Sequence, residues 1–345
     1  MLASIEKEVR LTAKDAPFLP GIETIYFGGG TPSILLPAEI AQLLNTIQLV
    51  FPTNAAAEIS LETNPDDVTD ANLLQWKKAG VNRLSLGVQS FNEAELQWMN
   101  RAHNTTESLG SIDKIIAAGF HNFSVDLIYG SPLLSNEDFG KNIETILSKN
   151  IPHVSAYALT VEPKTVLDAH IKNRKSPPID EGRQAEQFDM LVEKMTLAGY
   201  EQYEISNFAK PGFRSRHNSS YWQGKPYFGF GPSAHSYDGY NKRRWNIANN
   251  ALYIKSLEQD TVPFEEEILT TTQQLNERIM ISLRTMEGLD CEGIARDFGD
   301  EQVTAILQKA MVYLQQNKLT LTDWNLRLTD TGKFFADGIA ADLFF

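Results

Sequence analysis

Thr24-Ile25-Tyr26-Phe27-Gly28-Gly29-Gly30-Thr31-Pro32-Ser33 runs an apolar segment straight into three consecutive glycines. Glycine triplets strip a strand end of side chains, so backbone N–H and C=O groups there can press directly against a ligand, and a positive φ costs nothing. Thr31 and Pro32 then turn the chain toward a helix expected from Pro37, a residue suited to the first helical position. A plain strand-to-helix turn would use the same residues, so the triplet acquires meaning only from the ends of the other strands.

Those strands follow in a regular alternation. Residues 57–62 alternate polar and apolar and end on the carboxylate of Glu62; further strands are expected at 83–89, 122–129 and 154–160. Between them the apolar spacing predicts helices at 37–50, 69–79, 92–100, 105–118 and 135–149. Gly80 and Gly119 close two of them, and Ser135 with Asp138 suggests a capping box at the last. Upstream, Leu2, Ile5 and Val9 share one face of an opening helix, and Pro17 to Gly21 reads as a breaker. Repeated strand–helix units predict a parallel sheet or barrel. Thr31, Glu62, Gln89, Asp126 and either Tyr157 or Thr160 then fall near strand carboxyl ends, where such folds bind ligands. Each carboxylate alone could be a structural hydrogen-bonder, but polar residues in successive units point to a site for a polar ligand.

Beyond residue 161 the rhythm breaks. A long helix at 180–198 and a strand at 200–205 lead into 206–250, where His217-Asn218-Ser219-Ser220-Tyr221-Trp222 and His235 lie among aromatics and glycines. Lys210, Arg214, Arg216, Lys225, Lys242, Arg243 and Arg244 form a local basic excess there. Rings and cations suit a flat ligand bearing carboxylates; single-stranded nucleic acid would use the same residue types, as would an irregular loop packed by its own aromatics. A net charge of −13 argues against nucleic acid. The C-terminal part reads as helices at 270–286, 290–298 and 301–316, a hairpin near 320–328 and a last helix from Asp330, a winged-helix-like order. Its 7 basic and 14 acidic side chains over 265–345 disfavour DNA. The single cysteine, Cys291, leaves no multi-cysteine site, and the histidines show no metal-ligand spacing. No apolar run approaches a membrane span and no secretory signal opens the sequence, so a cytoplasmic, non-integral protein is expected.

Taken together, Tyr26-Phe27-Gly28-Gly29-Gly30-Thr31-Pro32-Ser33, Glu62-Thr63-Asn64-Pro65, Leu86-Gly87-Val88-Gln89-Ser90-Phe91, Arg101-Ala102-His103 and Asp126-Leu127-Ile128-Tyr129-Gly130 resemble, in this order, the radical S-adenosylmethionine (radical SAM) family of oxygen-independent coproporphyrinogen III oxidase and the HemW-type heme chaperones. His217-Asn218 followed by Tyr221-Trp222 resembles the heme-associated motif of the chaperone branch. The resemblance implies an α/β fold: a partial (βα)6 radical-SAM barrel over 1–165, a barrel-end and heme-motif region over 166–262, and a smaller, mostly α C-terminal domain over 263–345. It implies that Gly29, Gly30 and Thr31 meet the methionine part of S-adenosylmethionine, that Glu62, Gln89, Arg101 and Asp126 line the same cavity, and that His217 contacts heme. Heme or porphyrin is the implied ligand, and a heme-accepting respiratory protein the implied partner; the alternative is radical decarboxylation of coproporphyrinogen III.

The family also carries three closely spaced cysteines on the loop after its first strand, ligands of a [4Fe–4S] cluster. This sequence opens in the helix that follows that loop, so the expected barrel lacks its first strand and the expected cluster its thiolates. Either the natural chain starts further upstream, or this is a cluster-less relative. The intact Gly28, Gly29, Gly30, Thr31, Glu62, Gln89 and Asp126 favour the first. A barrel enzyme using Glu62 and Asp126 as general acid and base is a third reading.

Overall fold

The computed structural model describes residues 1–15 and 21–345; all of the expected breaker except Gly21 lies outside them. The first helix, α1 (Leu2–Asp15), is followed by β1 (Ile22–Phe27), α2 (Pro37–Val50), β2 (Thr53–Thr63), α3 (Asp70–Ala79), β3 (Arg83–Gln89), α4 (Glu93–Trp98), α5 (Thr105–Ala117), β4 (Phe123–Tyr129), α6 (Asn136–Ser148) and β5 (His153–Ala158). Local chemistry accounts for these bounds. Pro37 stands at the start of α2, Thr69 caps α3 by accepting from Asn72 N–H, and Gly80 ends α3 with φ +105°. At α6, Ser135 accepts from Asp138 N–H, but Asp138 takes the Ser135 hydroxyl rather than returning to the backbone, so only half of the expected box forms.

After α7 (Val166–Lys172) and α8 (Glu181–Leu197) come β6 (Glu201–Glu204) and β7 (Asn207–Ala209). One sheet orders the strands β1-β2-β3-β4-β5-β7-β6. The pairs β2–β3, β3–β4 and β4–β5 are parallel, as the alternation requires, whereas β7 pairs antiparallel with both β5 and β6. The sixth expected strand therefore does not adjoin the fifth: the chain turns back within a few residues and inserts β7, which is too short to register in the sequence pattern. The fold is α/β, a curled half-barrel sheet with a mostly helical C-terminal part.

Register sets which residues share a face. Leu84, Leu86, Val88, Val125, Leu127, Val154 and Ala156 are buried on one side. On the other, Glu62 pairs with Ser85 and Ser85 with Ser124, then Asp126 with Ser155 and Ser155 with Asn207, so the opposite face carries rows of polar side chains.

The chain separates into two compact units: Met1–Ile25, Leu35–Ile59 and Ser215–Phe345 form one, and Tyr26–Ile34 with Ser60–Arg214 the other. In the first, residues 215–250 contain α9 (Arg216–Trp222), β8 (His235–Tyr237) and β9 (Lys242–Asn246), and the two strands join β10 (Phe264–Ile268) in a small antiparallel sheet, so this stretch is not simply an irregular loop. The C-terminal helices α11 (Thr271–Leu283), α12 (Cys291–Phe298) and α13 (Asp300–Gln315), the last two following β11 (Leu289–Asp290) and a short α10 (Asn250–Glu258) preceding all three, enclose Leu275, Ile279, Leu289, Ile306 and Leu326. The expected hairpin is β12 (Leu319–Thr322) with β13 (Asn325–Leu328), to which β11 adds a third strand. Cys291 is 3% exposed in this core. No helix among the described residues is long and apolar enough to cross a membrane.

Helix α1 is tied down through Glu8, which is fully buried and accepts from Gly231 N–H (2.9 Å), Asn246 Nδ2 (2.6 Å) and the Tyr253 hydroxyl. Burial raises its pKa, and the three donors oppose that shift. Removing the carboxylate strands three donors, so Glu8→Ala is expected to lower stability by about 3 kcal/mol or more, read from urea unfolding midpoints.

Candidate functional site

The end of β1 and the end of β2 meet through one carboxylate. Glu62 accepts from the Tyr26 hydroxyl at Oε1 (2.7 Å) and from Gly29 N–H at Oε2 (3.2 Å). Burial and the adjacent Glu62 push the Tyr26 phenol far above its ordinary pKa, so it remains a donor at every ordinary pH. Gly28 has no room for a side chain, because a Cβ there would lie 2.4 Å from the Tyr26 ring and 2.8 Å from Glu62 Oε1. Gly29 and Gly30 differ in kind: their φ values are +76° and +112°, and a Cβ on either would meet nothing within 4 Å. The triplet thus presents bare backbone to open space. Thr31 follows, half-buried, and Ser33 binds Asp67 (2.6 Å), fixing the loop after β1 to the loop after β2.

On the next strands Ser85 reaches both oxygens of Asp126 (3.3 Å each) and the Ser124 hydroxyl (2.9 Å). Burial, with the Glu62 charge adding, pushes the Asp126 carboxyl up to about 6, against the hydroxyls of Ser155 and Ser85 and the charge of Arg83.

The carboxyl end of β3 is irregular. Between Leu86 and Gln89 the register with β4 slips by one residue, and Gln89 has φ +70°, a strained backbone for a residue with a side chain. One loop takes up the carbonyls this exposes: Arg101 Nη2 binds Gly87 O (3.0 Å) and Asn64 Oδ1 (2.8 Å), while His103 Nε2 meets Val88 O (3.1 Å). A Cβ at Gly87 would stand 3.1 Å from Gln89 Nε2 and 3.5 Å from both Arg101 Nη2 and Asn64 Oδ1, so Gln89, Arg101 and Asn64 converge on one point. Burial lowers the Arg101 pKa, with Asp66 and Asp126 opposing.

Gly29, Gly30, Thr31, Glu62, Gln89, Arg101 and Asp126 therefore all lie in one unit, where a hydrogen bond joins Gly29 to Glu62 and charge couples Asp126 to Glu62 and Arg101. From the sequence, Tyr26 and Asn64 stand in the motifs without a role of their own, and Ser85 is not singled out. Ser85 was accessible through the alternation of Arg83-Leu84-Ser85-Leu86-Gly87, which puts Ser85 on the face of Glu62; the register slip before Gln89 left no sequence signal.

His217 lies in the other unit. It sits in the first turn of α9, where Ser215 caps the helix and Glu58 accepts from Arg216 N–H (3.2 Å) and His217 N–H (3.0 Å). Its ring packs edge-on to Tyr221 (5.1 Å between centroids), which packs against Tyr227 (4.9 Å). Burial pushes the imidazole down to about 4, so it is neutral near pH 7. The basic residues grouped around it in the sequence are largely paired: Lys225 with Glu23, Lys242 with Glu266, Arg243 with Glu277 and, in the other unit, Arg214 with Glu201.

The Radical SAM superfamily pattern matches residues 4–146, and that of the HemN C-terminal domain residues 269–335. The heme chaperone HemW of Bacillus subtilis is 37% identical over 283 residues, 81% of this chain and 74% of that protein. HemW of Lactococcus lactis is 31% identical over 327 residues, 92% of this chain and 86% of that one. The chain belongs to the HemW family. In structure it matches coproporphyrinogen III oxidase (HemN) of Escherichia coli, a radical SAM enzyme, with a TM-score of 0.84 and 23% identity over 99% of this chain and 82% of that one, a likeness of fold.

For a HemW-family chain, S-adenosylmethionine and a [4Fe–4S] cluster are the implied groups. The open glycines and the carboxylate beneath them fit the polar end of the first. The second does not fit the residues present: the sequence has one cysteine, it is buried in the C-terminal core, and among the described residues no three His, Cys, Asp or Glu side chains are placed to hold a metal.

Asp126 supplies a test of this polar face in the HemW-family fold. Folded, it keeps its proton up to about pH 6, whereas unfolded it releases it near its ordinary 3.8. Between those values the unfolded state binds fewer protons, so stability falls as pH rises. Asp126→Asn has no proton to lose, and the stability gap in its favour is expected to open between about pH 4 and pH 7, toward about 3 kcal/mol, measured by calorimetry across that range.

Proposed function

We propose that this chain is a cytoplasmic heme chaperone that binds heme through His217 and S-adenosylmethionine at the glycine-bearing strand ends, and passes heme to a respiratory acceptor. The observation that carries the heme reading is the state of His217, a neutral imidazole held at the start of a short helix among Tyr221 and Tyr227. A neutral imidazole offers a nitrogen lone pair to iron, and aromatic faces suit a flat macrocycle. The names borne by the relatives in Bacillus subtilis and Lactococcus lactis support the same reading.

In this reading residues 1–165 carry the S-adenosylmethionine part, 166–262 the barrel end and heme motif, and 263–345 a C-terminal domain. S-adenosylmethionine brings a sulfonium and an amino-acid end. Gly29, Gly30 and Thr31 would take the amino-acid end along their bare backbone, Glu62 would hold that backbone from below, and Gln89, Arg101 and Asp126 would line the remainder. Because Lys225, Lys242 and Arg243 already have carboxylate partners, heme carboxylates would have to exchange with those partners to reach them.

Two measurements test the proposal. Hemin titration followed at the Soret band is expected to give a saturable spectrum that His217→Ala weakens at least about tenfold; an unchanged titration refutes the heme contact. Calorimetric titration with S-adenosylmethionine is expected to weaken about 10- to 100-fold in Glu62→Gln, the cost of losing a charged acceptor; equal affinity in both proteins refutes the assignment of Glu62.

A further inference from the structure

The two ring nitrogens of His217 are held by groups of very different mobility. Nδ1 lies 2.9 Å from Thr24 Oγ1, a residue of β1 that is 193 positions away in sequence. Nε2 lies 3.1 Å from the hydroxyl of Tyr221, one turn further along α9. The main chain of His217 is gripped as well, since its N–H donates to Glu58 on β2, a side chain 4% exposed. Two neighbouring strands thus fix the ring and the backbone from one side.

Thr24 cannot withdraw without moving its strand, and its branched Cβ leaves its hydroxyl little rotational choice. Tyr221 is 42% exposed on a seven-residue helix and can swing aside by rotation of its own side chain. A neutral imidazole carries one proton, and iron takes the lone pair of the nitrogen that lacks it. The nitrogen that keeps the proton is set by whichever neighbour accepts it, and in metal sites that partner also orients the ring.

We infer that Thr24 is the positioning residue for heme ligation: its hydroxyl oxygen accepts from Nδ1–H of His217, holds that tautomer and leaves Nε2 as the nitrogen that binds iron. The inference rests on the reading of His217 as the heme contact. In the free protein Nε2 accepts from the Tyr221 O–H, so ligation breaks that hydrogen bond and forms one Fe–N bond. No proton leaves the ring, because it already sits on Nδ1. Tyr221 therefore competes with iron, whereas Thr24 assists it.

The test uses the full chain and hemin with four variants. Thr24→Val keeps the shape and strand preference but removes the acceptor; Thr24→Ser restores an acceptor. Thr24→Val is expected to weaken hemin binding about 10- to 100-fold and, in the reduced form, to lower the iron–histidine stretching frequency in resonance Raman spectra, because Nδ1–H loses the acceptor that makes the ring a stronger ligand. Thr24→Ser is expected to recover most of the affinity and the frequency, and Tyr221→Phe to bind hemin more tightly than the parent. Wild-type affinity and frequency in Thr24→Val, alongside loss of the histidine-ligated spectrum in His217→Ala, overturn the role of Thr24 and leave the heme contact standing. An unchanged His217→Ala spectrum overturns the contact itself and the Thr24 role with it. A loss of affinity in Thr24→Val that Thr24→Ser does not recover assigns the effect to the strand and overturns the inference.

Discussion

The strand-end site hangs on the Glu62 carboxylate. Its two oxygens take one donor from Tyr26, next to last in β1, and one from the backbone that follows the strand, so a single group fixes both where Tyr26 points and how the glycines run. Hydrogen bonds to an ionised acceptor contribute about 1.5–3 kcal/mol each, enough to hold a glycine-rich backbone that has no side chains of its own to pack. The three glycines are consequently not equivalent. Gly28 is glycine because Glu62 and Tyr26 occupy the space of its Cβ, and Gly29 and Gly30 because of their positive φ and the open space in front of them.

The rest of the site follows from an asymmetry between the faces of the sheet. Parallel sheets are commonly apolar on both faces. Here one face is apolar, through Leu84, Leu86, Val125 and Leu127, and the other carries Glu62, Ser85, Ser124, Asp126 and Ser155. Burial on this face, with the charge of Glu62 adding, raises the Asp126 pKa. At β3 the bulge takes Gly87 and Val88 out of the ladder before Gln89 rejoins it opposite Leu127, and Arg101 and His103 take up the Gly87 and Val88 carbonyls. Gln89 follows these two carbonyls in a strained conformation, with φ +70°.

The His217 segment is built by a different device. A helix as short as α9 has little stability of its own. It is nucleated from outside, by Ser215 at its cap and by Glu58, whose carboxylate receives the first N–H groups and complements the positive end of the helix. The same arrangement that makes the helix also fixes the direction of its histidine.

The sequence alone determined the alternation of strands and helices, their ends at Pro37, Gly80 and Gly119, and the placing of Glu62 and Gln89 at strand termini; Asp126, expected near a strand end, stands instead at the middle of β4. Each of these is a local property: periodicity, capping and backbone freedom act over a few residues and are written where they act. Tertiary structure decided what Glu62 holds, that β7 separates β5 from β6, that the register slips before Gln89, and that Lys225, Lys242 and Arg243 already have carboxylate partners. Thr24 and His217 are the clearest case. Neither residue signals the other, because a contact between positions 193 apart is created only when β1 and the start of α9 are brought together, by pairing that no local pattern encodes.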